Sequence, residues 1–354
     1  MRILHLAAGN RWTGAAAPAF AEVDALRAAG VDAHYAYVGG YKLERKLADV
    51  AFAHPFIEKA QNPASFLRTL RALASLGKFD IVHAHLTWDH WVGRFLARRS
   101  GALLARTFHS RRVLRSDPFT RSLIARTAVL CAVNATFIDA PPVRRRGALF
   151  TPPPVDHRQF TPDGGDVRSA YGIERSAPLV AAIGKLSAGR GFETALRTFQ
   201  RIRTQIPAAR MMIIGHGEHR PRLEALAAEL GIAADLVWAG YHEDDLAAHY
   251  RAANVLLFTE RGSDEGHRAV LEAMACGVPP VAAPITGIEA LLRPFERQLV
   301  AAERVPESIA RTAIAVLLGN SPAGAELAAA TQQFGYGASA ERLSSAYERA
   351  MARS

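Results

Sequence analysis

The residues whose types and spacing best suit chemistry in this sequence begin with a loop from Gly184 to Gly191. Its three glycines let the backbone turn sharply and approach a ligand closely. The loop follows an apolar run and opens a helical pattern, and the free N–H groups at a helix start attract anions. Lys185 and Arg190 add two full positive charges, so the loop suits a diphosphate. The alternative is a plain strand-to-helix turn with surface cations, and the Gly-Lys-Ser/Thr ending of a P-loop is missing.

A pair of carboxylates forms the second pattern, in which Asp264 precedes Glu272 by eight positions. Asp264 is expected in a loop, and Glu272 about one turn into a helix. A loop can donate backbone N–H groups to a ligand, and a carboxylate can accept hydrogen bonds from the hydroxyls of a ribose. Glu272 could also be an ordinary exposed helix residue. The two patterns indicate that residues 179–292 hold the diphosphate of a nucleotide-linked substrate.

Strands and helices alternate along the chain, which is typical of parallel sheets covered on both faces. Strands are predicted at residues 2–7, 31–38, 80–85, 103–108, 129–133, 179–183, 210–214, 236–239, 255–258 and 280–283. Helices are predicted at residues 15–29, 63–76, 88–99, 192–205, 221–230, 244–251 and 268–275. A segment rich in proline and glycine near residues 152–170 interrupts the series. The sequence therefore predicts an α/β fold with two Rossmann-like domains facing each other across an interdomain cleft, with ligands at the carboxyl ends of the strands.

The net charge of +10 is concentrated in the first half of the chain. Residues 1–150 contain 22 Lys or Arg against 10 Asp or Glu, a balance of +12, whereas the remainder contains 21 against 23, a balance of −2. Such asymmetry indicates an anionic partner, which could be a nucleic acid, an anionic membrane surface or an acidic glycan. An arginine-rich composition without a special partner explains it equally well. No recognition helix, aromatic platform or zinc motif supports nucleic-acid binding.

Composition and cysteine usage favour a globular protein of the cytosol. The hydrophobic fraction is 49%, and no apolar run reaches the roughly 18 residues that a membrane span needs. The apolar start at residues 1–6 is too short for a signal-peptide core and is expected to be the first buried strand. Cys131 and Cys276 lie far apart without a partner motif, which favours reduced thiols over a disulfide or a metal site.

The order and separation of the two patterns resemble those of the retaining group-1, or family-four, glycosyltransferases of the GT-B fold. That family has a Gly-Arg-Leu…Lys-Gly loop, followed by an acidic pair with seven residues between its members. Here Lys185 stands where the family has arginine, and Arg190 stands where it has lysine. The charge of the loop is kept, but the hydrogen-bond geometry changes. Asp264 replaces the usual first glutamate, as in one subgroup, and Glu265 stands where the family has glycine.

The resemblance covers most of the chain. In the second half, Gly215 matches a glycine motif after a strand, and Gly240 and Tyr241 match the segment that borders the base. In the first half, Gly14 resembles the glycine turn under the donor phosphates, although Ala15 follows where the family often has a second glycine.

A strand-end histidine also matches the family. His109 resembles the histidine that faces the donor sugar, although a lone histidine at a strand end is equally often structural. His83 and His85 alternate on one strand and are interpreted as core residues or as support for the site.

The resemblance implies a role for each site residue. Lys185 and Arg190 stabilise the charge that builds on the departing diphosphate. Glu272 holds the ribose, and Asp264 and His109 orient the sugar. The implied donor-binding residues are Gly14, Gly184, Gly215, Gly240, Tyr241, Gly266, His267, Arg268 and Glu272. No metal or other cofactor is expected, and the acidic run of residues 243–245 is interpreted as capping carboxylates at a helix start.

The implied domains are an acceptor-side domain at residues 1–155, a nucleotide-sugar domain at 170–335, and a last helix at 336–354 that crosses back to the first domain. The implied function is retaining transfer of a sugar from a UDP- or GDP-linked donor to a glycan or lipid-linked acceptor, in the synthesis of a cell-envelope polysaccharide or lipopolysaccharide. The basic first half is expected to contact the inner face of the cytoplasmic membrane.

Two alternatives to transfer stay open. One is a GT-B-type epimerase, which would act on a nucleotide sugar without an acceptor. The other is a degenerate member that only binds its ligand, which Glu265 and Ala15 would mark. No nucleic-acid partner is expected.

Overall fold

The computed structural model describes residues 1–9, 12, 14–260 and 265–353. The chain forms two compact units. Unit 1 comprises Met1–Pro154, Ser263–Gly266 and Gln333–Ser354, and unit 2 comprises Val155–Gly262 and His267–Gln332. Each unit has a parallel β-sheet with α-helices, so the predicted α/β class is confirmed. No described helix is both long enough and apolar enough to cross a lipid bilayer.

Unit 1 is built on seven strands. They are β1 (Arg2–Ala7), β2 (Asp32–Val38), β3 (Ala53–Ile57), β4 (Ile81–Ala84), β5 (Leu103–Phe108), β6 (Val129–Ala132) and β7 (Leu149–Phe150). They pair in parallel in the order β3-β2-β1-β4-β5-β6-β7. The order reverses between β1 and β4, and ligands of such sheets bind beside that point at the carboxyl ends of the strands.

Five helices of unit 1 follow these strands. They are α1 (Ala16–Ala28), α2 (Lys42–Leu47), α3 (Pro63–Ala74), α4 (Thr87–Ser100) and α5 (Pro118–Ala125). Polar side chains start two of them, because Asn62 Oδ1 accepts from the Ser65 N–H at 2.9 Å before α3, and Asp117 Oδ1 accepts from the Thr120 N–H at 3.0 Å before α5. Gly101, with a φ of 77°, ends α4.

Unit 2 repeats the architecture with five strands. They are β8 (Leu179–Ile183), β9 (Arg210–Ile214), β10 (Leu236–Gly240), β11 (Val255–Phe258) and β12 (Pro280–Ala282), in the parallel order β10-β9-β8-β11-β12. Its helices are α6 (Phe192–Gln205), α7 (Arg220–Glu229), α8 (Leu246–Ala252), α9 (Arg268–Ala275), α10 (Ile288–Leu292), α11 (Glu296–Leu299), α12 (Pro306–Leu317) and α13 (Gly324–Ala330). The order of this sheet reverses between β8 and β11.

The last helix, α14 (Tyr336–Met351), belongs to unit 1 and packs against α1. Leu343 and Tyr347 are fully buried there. The Tyr347 hydroxyl lies 2.6 Å from His83 Nδ1, so the helix reaches a polar group on β4 as well as the apolar core.

Every predicted strand is present, with ends that differ from the prediction by one residue at most. The predicted helices are also present, within two residues at each end. The sequence did not predict α2, β3, α5, β7 or the helices from α10 to α13, whereas the last helix, α14, was predicted. Strand β3 lacks a clear sequence signal because it is half exposed and contains Pro55, a residue that is normally confined to edge strands. The structure places β3 at an edge of the sheet.

Candidate functional site

Three glycines follow three adjacent strands at the carboxyl edge of the unit 2 sheet. Gly184 follows β8, Gly215 follows β9 and Gly240 ends β10. The Gly184 N–H donates to Ile214 O at 3.0 Å, and the Gly215 N–H donates to Gly240 O at 2.6 Å. Gly215 has a φ of 140°, and a Cβ there would lie 1.9 Å from Gly184 O. The structure therefore brings these predicted residues together, and only glycine fits the central one.

The loop after β8 is fixed by the backbone of its neighbour. The Leu186 N–H donates to His216 O at 3.0 Å, and the Leu186 side chain is fully buried. Lys185 is 43% exposed, with its Nζ 3.4 Å from a Glu218 carboxylate oxygen. A backbone hydrogen bond, and then Lys185, lower the pKa of Glu218. The Lys185 ammonium therefore stands on a fixed loop and remains accessible to solvent.

Gly191 starts α6 in the left-handed conformation, with a φ of 82°. A Cβ there would meet Thr259 Oγ1 at 2.5 Å, and this hydroxyl donates to Gly191 O at 2.7 Å. Since Thr259 follows β11, the start of α6 is held beside the point where the strand order reverses. Arg190 immediately precedes Gly191 and is partly buried. A helix start and two cations thus share one loop, which suits a diphosphate.

Glu272 is buried on α9, with 6% of its surface exposed. Its Oε2 accepts from the Tyr250 hydroxyl at 2.9 Å, and its Oε1 lies 3.4 Å from Arg268 Nε, one turn earlier. Burial, and then the Glu272 charge, raise the pKa of Tyr250 well above its ordinary value, so the phenol stays a donor. The interpretation of Glu272 as an exposed helix residue is therefore wrong. A held carboxylate of this kind can select a hydroxyl-bearing ligand.

His267 precedes α9 with a φ of 55°, the one positive φ of a non-glycine residue in the described ranges. The ring is 2% exposed, and its Nε2 lies 3.0 Å from Thr286 O, to which it donates. A left-handed conformation in such a residue costs on the order of 1–3 kcal/mol and concentrates at ligand sites. The surroundings of His267 hold this conformation and thereby fix the backbone that starts α9 at Arg268.

Tyr241 follows β10 and is half exposed. Its hydroxyl donates to Glu243 Oε2 at 2.9 Å, and burial together with this carboxylate raises the pKa of Tyr241 to about 12. The predicted capping role of residues 243–245 is wrong, because α8 starts after Asp245 without a side-chain cap. The Asp245 carboxylate instead hydrogen-bonds to the imidazole of His242, with its Oδ1 2.9 Å from Nδ1.

Two groups of described residues have the composition of a metal site. They are His242, Asp245 and His249 in unit 2, and His5, Glu22, His83 and His85 in unit 1. His242 Nδ1 and His249 Nδ1 each bond to an oxygen of Asp245, at 2.9 and 3.1 Å. His5 Nδ1 and His85 Nε2 point at each other across 2.9 Å, with ring centroids 5.1 Å apart. The candidate ligand atoms of each group lie within 4.8 Å of one another. Glu22 Oε2 lies 3.8 and 3.7 Å from His5 Nδ1 and His85 Nε2, and neither Glu22 oxygen accepts a hydrogen bond from the described residues.

His109 follows β5 in unit 1 and ends a chain of three hydrogen-bonded histidine rings. His109 Nε2 lies 2.9 Å from His85 Nδ1, and His85 Nε2 lies 2.9 Å from His5 Nδ1. Burial lowers the pKa of His5 and of His109 to about 3, so both rings are neutral near pH 7. In a neutral ring one nitrogen donates and the other accepts, so the three rings must share one direction. His85 therefore supports His109 directly.

Glu265, the departure from the family pattern, anchors its segment to the end of β5. Its backbone N–H donates to His109 O at 3.1 Å, and its carbonyl accepts from Asn134 Nδ2 at 2.9 Å. Its Oε1 accepts from the Ser110 hydroxyl at 2.9 Å and from the Arg111 N–H at 3.1 Å. Glycine could not form the two side-chain bonds, so this residue adds contacts within unit 1.

The predicted site residues fall into two groups. His109, Gly14 and Gly266 belong to unit 1, and Gly14 has a φ of 63° in the turn before α1. Unit 2 holds Gly184, Lys185, Arg190, Gly215, Gly240, Tyr241, His267, Arg268 and Glu272. Asp264 lies outside the described residues, so its role stays a prediction. Sequence reasoning missed Tyr250 and His5, whose partners are far away in the chain.

Two family profiles match the chain. The one described as "Glycosyl transferases group 1" matches residues 166–336, and the one described as "Glycosyltransferase Family 4" matches residues 12–137. A D-inositol 3-phosphate glycosyltransferase of Geodermatophilus obscurus is 30% identical over 270 residues, which cover 68% of this chain and 60% of that protein. A GDP-mannose-dependent alpha-(1-6)-phosphatidylinositol monomannoside mannosyltransferase of Mycolicibacterium smegmatis is 34% identical over 141 residues, 37% of each chain. The chain thus spans about three-fifths or less of the length of these relatives.

Solved structures of glycosyltransferases share the fold over the whole chain. A glycosyltransferase from Rickettsia africae superposes with a TM-score of 0.81 at 14% identity, covering 100% of this chain and 99% of that one. Anabaena HepE in complex with UDP superposes with a TM-score of 0.80 at 15% identity, covering 99% and 100%. With the paired family matches and the strand-end glycines of unit 2, the chain belongs to the group-1 glycosyltransferases of the GT-B fold.

Proposed function

We propose that the protein is an enzyme that transfers a sugar from a nucleotide-diphosphate sugar to a glycan or lipid-linked acceptor, with retention of configuration. The observation that carries the proposal is the carboxyl edge of unit 2, where linked glycines, two cations and the buried Glu272 lie on neighbouring elements. UDP- or GDP-linked donors suit this edge, since HepE is in complex with UDP and the Mycolicibacterium relative is named GDP-mannose-dependent.

The proposed chemistry follows from charge. Cleavage of the bond between the sugar and the diphosphate leaves negative charge on phosphate oxygens. Lys185 and Arg190 stabilise that charge, together with N–H groups of the loop they share. The sugar becomes oxocarbenium-like. The acceptor hydroxyl attacks from the same face and passes its proton to an oxygen of the leaving diphosphate, which gives retention. Two cations and a helix start supply the positive charge, so the proposal requires no metal.

Other residues would hold the donor. Glu272 accepts from the ribose hydroxyls, while Gly240 and Tyr241 border the base. His109 and Asp264 orient the sugar. Further donor contacts are proposed for Gly14, Gly184, Gly215, Gly266, His267 and Arg268.

The acceptor side is proposed to be unit 1, in cell-envelope polysaccharide or lipopolysaccharide synthesis. Large apolar side chains are exposed there, with Leu67 at 53%, Phe95 at 51% and Phe119 at 74%. Arg94 and Arg98 lie on the same helix as Phe95. Exposed aromatic rings beside arginines suit peripheral contact with an anionic membrane at its cytoplasmic face.

Glu272→Gln tests the donor site. The amide keeps the size and can still accept from Tyr250, but it loses the charge, so kcat/KM for the donor should fall roughly 10- to 100-fold. Glu289→Gln, on the exposed side of α10, is the matched control and should leave kcat/KM unchanged. Transfer is measured over a panel of UDP- and GDP-sugars, with and without a glycan acceptor.

Unchanged transfer by Glu272→Gln would contradict the assigned site. Formation of a new isomer from the nucleotide sugar alone would show an epimerase instead of a transferase.

A further inference from the structure

A buried arginine of unit 1 lacks partners for part of its guanidinium. Arg106 lies on β5 and is only 2% exposed. Its Nε and Nη1 are buried, and no group in the described part of the chain accepts a hydrogen bond from them. Each buried donor left unpaired costs about 1–3 kcal/mol, and more when it is charged. Arg106 is therefore destabilising as a purely structural residue.

The carboxylate that interacts electrostatically with Arg106 is bonded elsewhere. Asp89 Oδ1 accepts from the Ala8 N–H at 2.9 Å, and its Oδ2 accepts from the Leu86 N–H at 2.8 Å. Burial lowers the pKa of Arg106 to about 10, with Asp89 opposing the shift, so the guanidinium stays charged at neutral pH. Burial raises the pKa of Asp89 to about 7, so half of its charge is lost near neutrality. Arg106 is thus an incompletely balanced cation.

Arg106 lines a pocket that opens outward. The inner cavity has a volume of about 50 Å³, and the adjoining opening about 500 Å³. The two share the walls Thr87, Val113, Phe119 and Thr120. Arg112 and Arg115 line the opening. A single phosphate or carboxylate group suits the inner cavity, and the sugar that carries it suits the opening.

We propose that this pocket binds an anionic group of the acceptor, a phosphate or a carboxylate, on the guanidinium of Arg106. Each unpaired nitrogen of the guanidinium, Nε or Nη1, can donate a charge-assisted hydrogen bond to an oxygen of such a group. Arg112 and Arg115 attract the same charge at the opening. The assignment to the acceptor rests on the proposed function, since Arg106 lies on the strand that leads to His109.

Two other titratable groups line the pocket, and each is hydrogen-bonded to a threonine. Burial lowers the pKa of His90 to about 2, so this ring is neutral, and its Nε2 lies 2.8 Å from Thr127 Oγ1. Asp117 lines the opening, but its two oxygens accept from the N–H and the hydroxyl of Thr120 at 3.0 and 2.8 Å. Its carboxylate is therefore held at the start of α5, and its Oδ2 also lies 3.8 Å from Arg115 Nε, so Arg112 supplies the less compensated charge at the opening.

The test is phosphate binding by the full chain. Inorganic phosphate, glucose 6-phosphate and glucose are titrated by calorimetry into Lys185→Gln protein, which lacks one cation of the diphosphate loop in unit 2. Both phosphates should bind and glucose should not. Adding Arg106→Gln should weaken phosphate binding at least about tenfold. Arg71→Gln, an exposed residue of α3 with the same charge change, should alter it less than about twofold.

Thermal unfolding keeps this test decisive. Removing an unpaired buried charge should leave the Tm of Arg106→Gln equal to or above that of its parent, so lost binding would not reflect lost folding. Equal phosphate affinity with and without Arg106 would overturn the proposal. Nucleotide diphosphates are titrated into the wild-type chain separately, so failure of the donor site and failure of this pocket give different results.

A further arm identifies the source of the anion. Arg106-dependent binding to phosphatidylglycerol vesicles, compared with phosphatidylcholine vesicles, would show a lipid headgroup. Arg106-dependent binding of glucose 6-phosphate alone would show a soluble acceptor. If Arg106→Gln changes neither vesicle binding nor glucose 6-phosphate binding, the anion site does not exist.

Discussion

The two units place their candidate site residues by different means. In unit 2 the backbone does most of the positioning, since Gly215 is bonded to Gly240 and touches Gly184 so closely that no side chain fits. In unit 1 buried polar side chains do it, as in the contact of His85 with His109. A site made of backbone is sensitive to added volume, whereas a site made of buried ionisable groups is sensitive to protons. The two units should therefore fail under different perturbations.

Lowering the pH should reduce the stability of unit 1 far more than that of unit 2. Five buried histidines of unit 1 have lowered pKa values because of burial, namely His5, His83, His85, His90 and His109. Each stays neutral in the folded state but takes up a proton in the unfolded state below about pH 6.5, so stability falls by about 1.4 kcal/mol per pH unit per histidine. In unit 1 the pKa values of His34 and His54 are lowered as well, whereas in the described part of unit 2 only His157 and His249 have lowered pKa values.

Two carboxyl groups of unit 1 act in the opposite direction. Burial raises the pKa of Glu22 to about 8 and that of Asp89 to about 7, so both hold a proton in the folded state that the unfolded state releases above about pH 4. Five histidines outweigh two carboxyls, and the net loss from pH 7 to pH 5 should be several kcal/mol. Hydrogen exchange, corrected for intrinsic rates, should show β4 and β5 losing protection while β8 and β9 keep theirs. Equal losses in both sheets would contradict the comparison.

Adding a side chain at a close backbone contact should reduce the stability of unit 2 instead. Gly215→Ala places a methyl 1.9 Å from Gly184 O, so the edge must shift, and the free energy of unfolding should fall by about 3 kcal/mol or more. Nucleotide-diphosphate affinity, measured by calorimetry, should fall with it. Gly231→Ala is the matched control, because φ is 69° there but no described atom lies within 4 Å. It should cost only about 1 kcal/mol and leave affinity unchanged; equal effects of the two variants would refute a role for the close backbone approach.

The same difference explains what the sequence could predict. The unit 2 site was visible because its glycines and charges are contiguous, as between Gly184 and Gly191, and because turns and helix starts have local signals. The unit 1 site depends on pairings across the sheet, since His5 and His85 are 80 positions apart. His83 and His85 were interpreted alike, as core residues or as support for the site, and the structure shows that His85 is the one that contacts His109. Glu272 was predicted, yet its burial depends on Tyr250, which a local pattern does not reveal.

The smallest expected effect is a difference in kcat between variants of His83 and His85, two histidines that the sequence does not distinguish. His85→Gln breaks the hydrogen-bonded chain that holds His109, whereas His83→Gln removes a ring that hydrogen-bonds to Tyr347 and Thr107 and only stacks on the rings of that chain. Both rings are fully buried on β4 or at its end, so loss of stability should be similar, about 1–3 kcal/mol. Only His85→Gln should mix the two neutral tautomers of His109, as seen in the ¹⁵N spectrum of labelled histidine rings. If His109 orients the donor sugar, only His85→Gln should lower kcat, by about tenfold, with little change in KM. Equal kcat losses in both variants would mean that the histidine chain serves the core of unit 1 and not the orientation of His109.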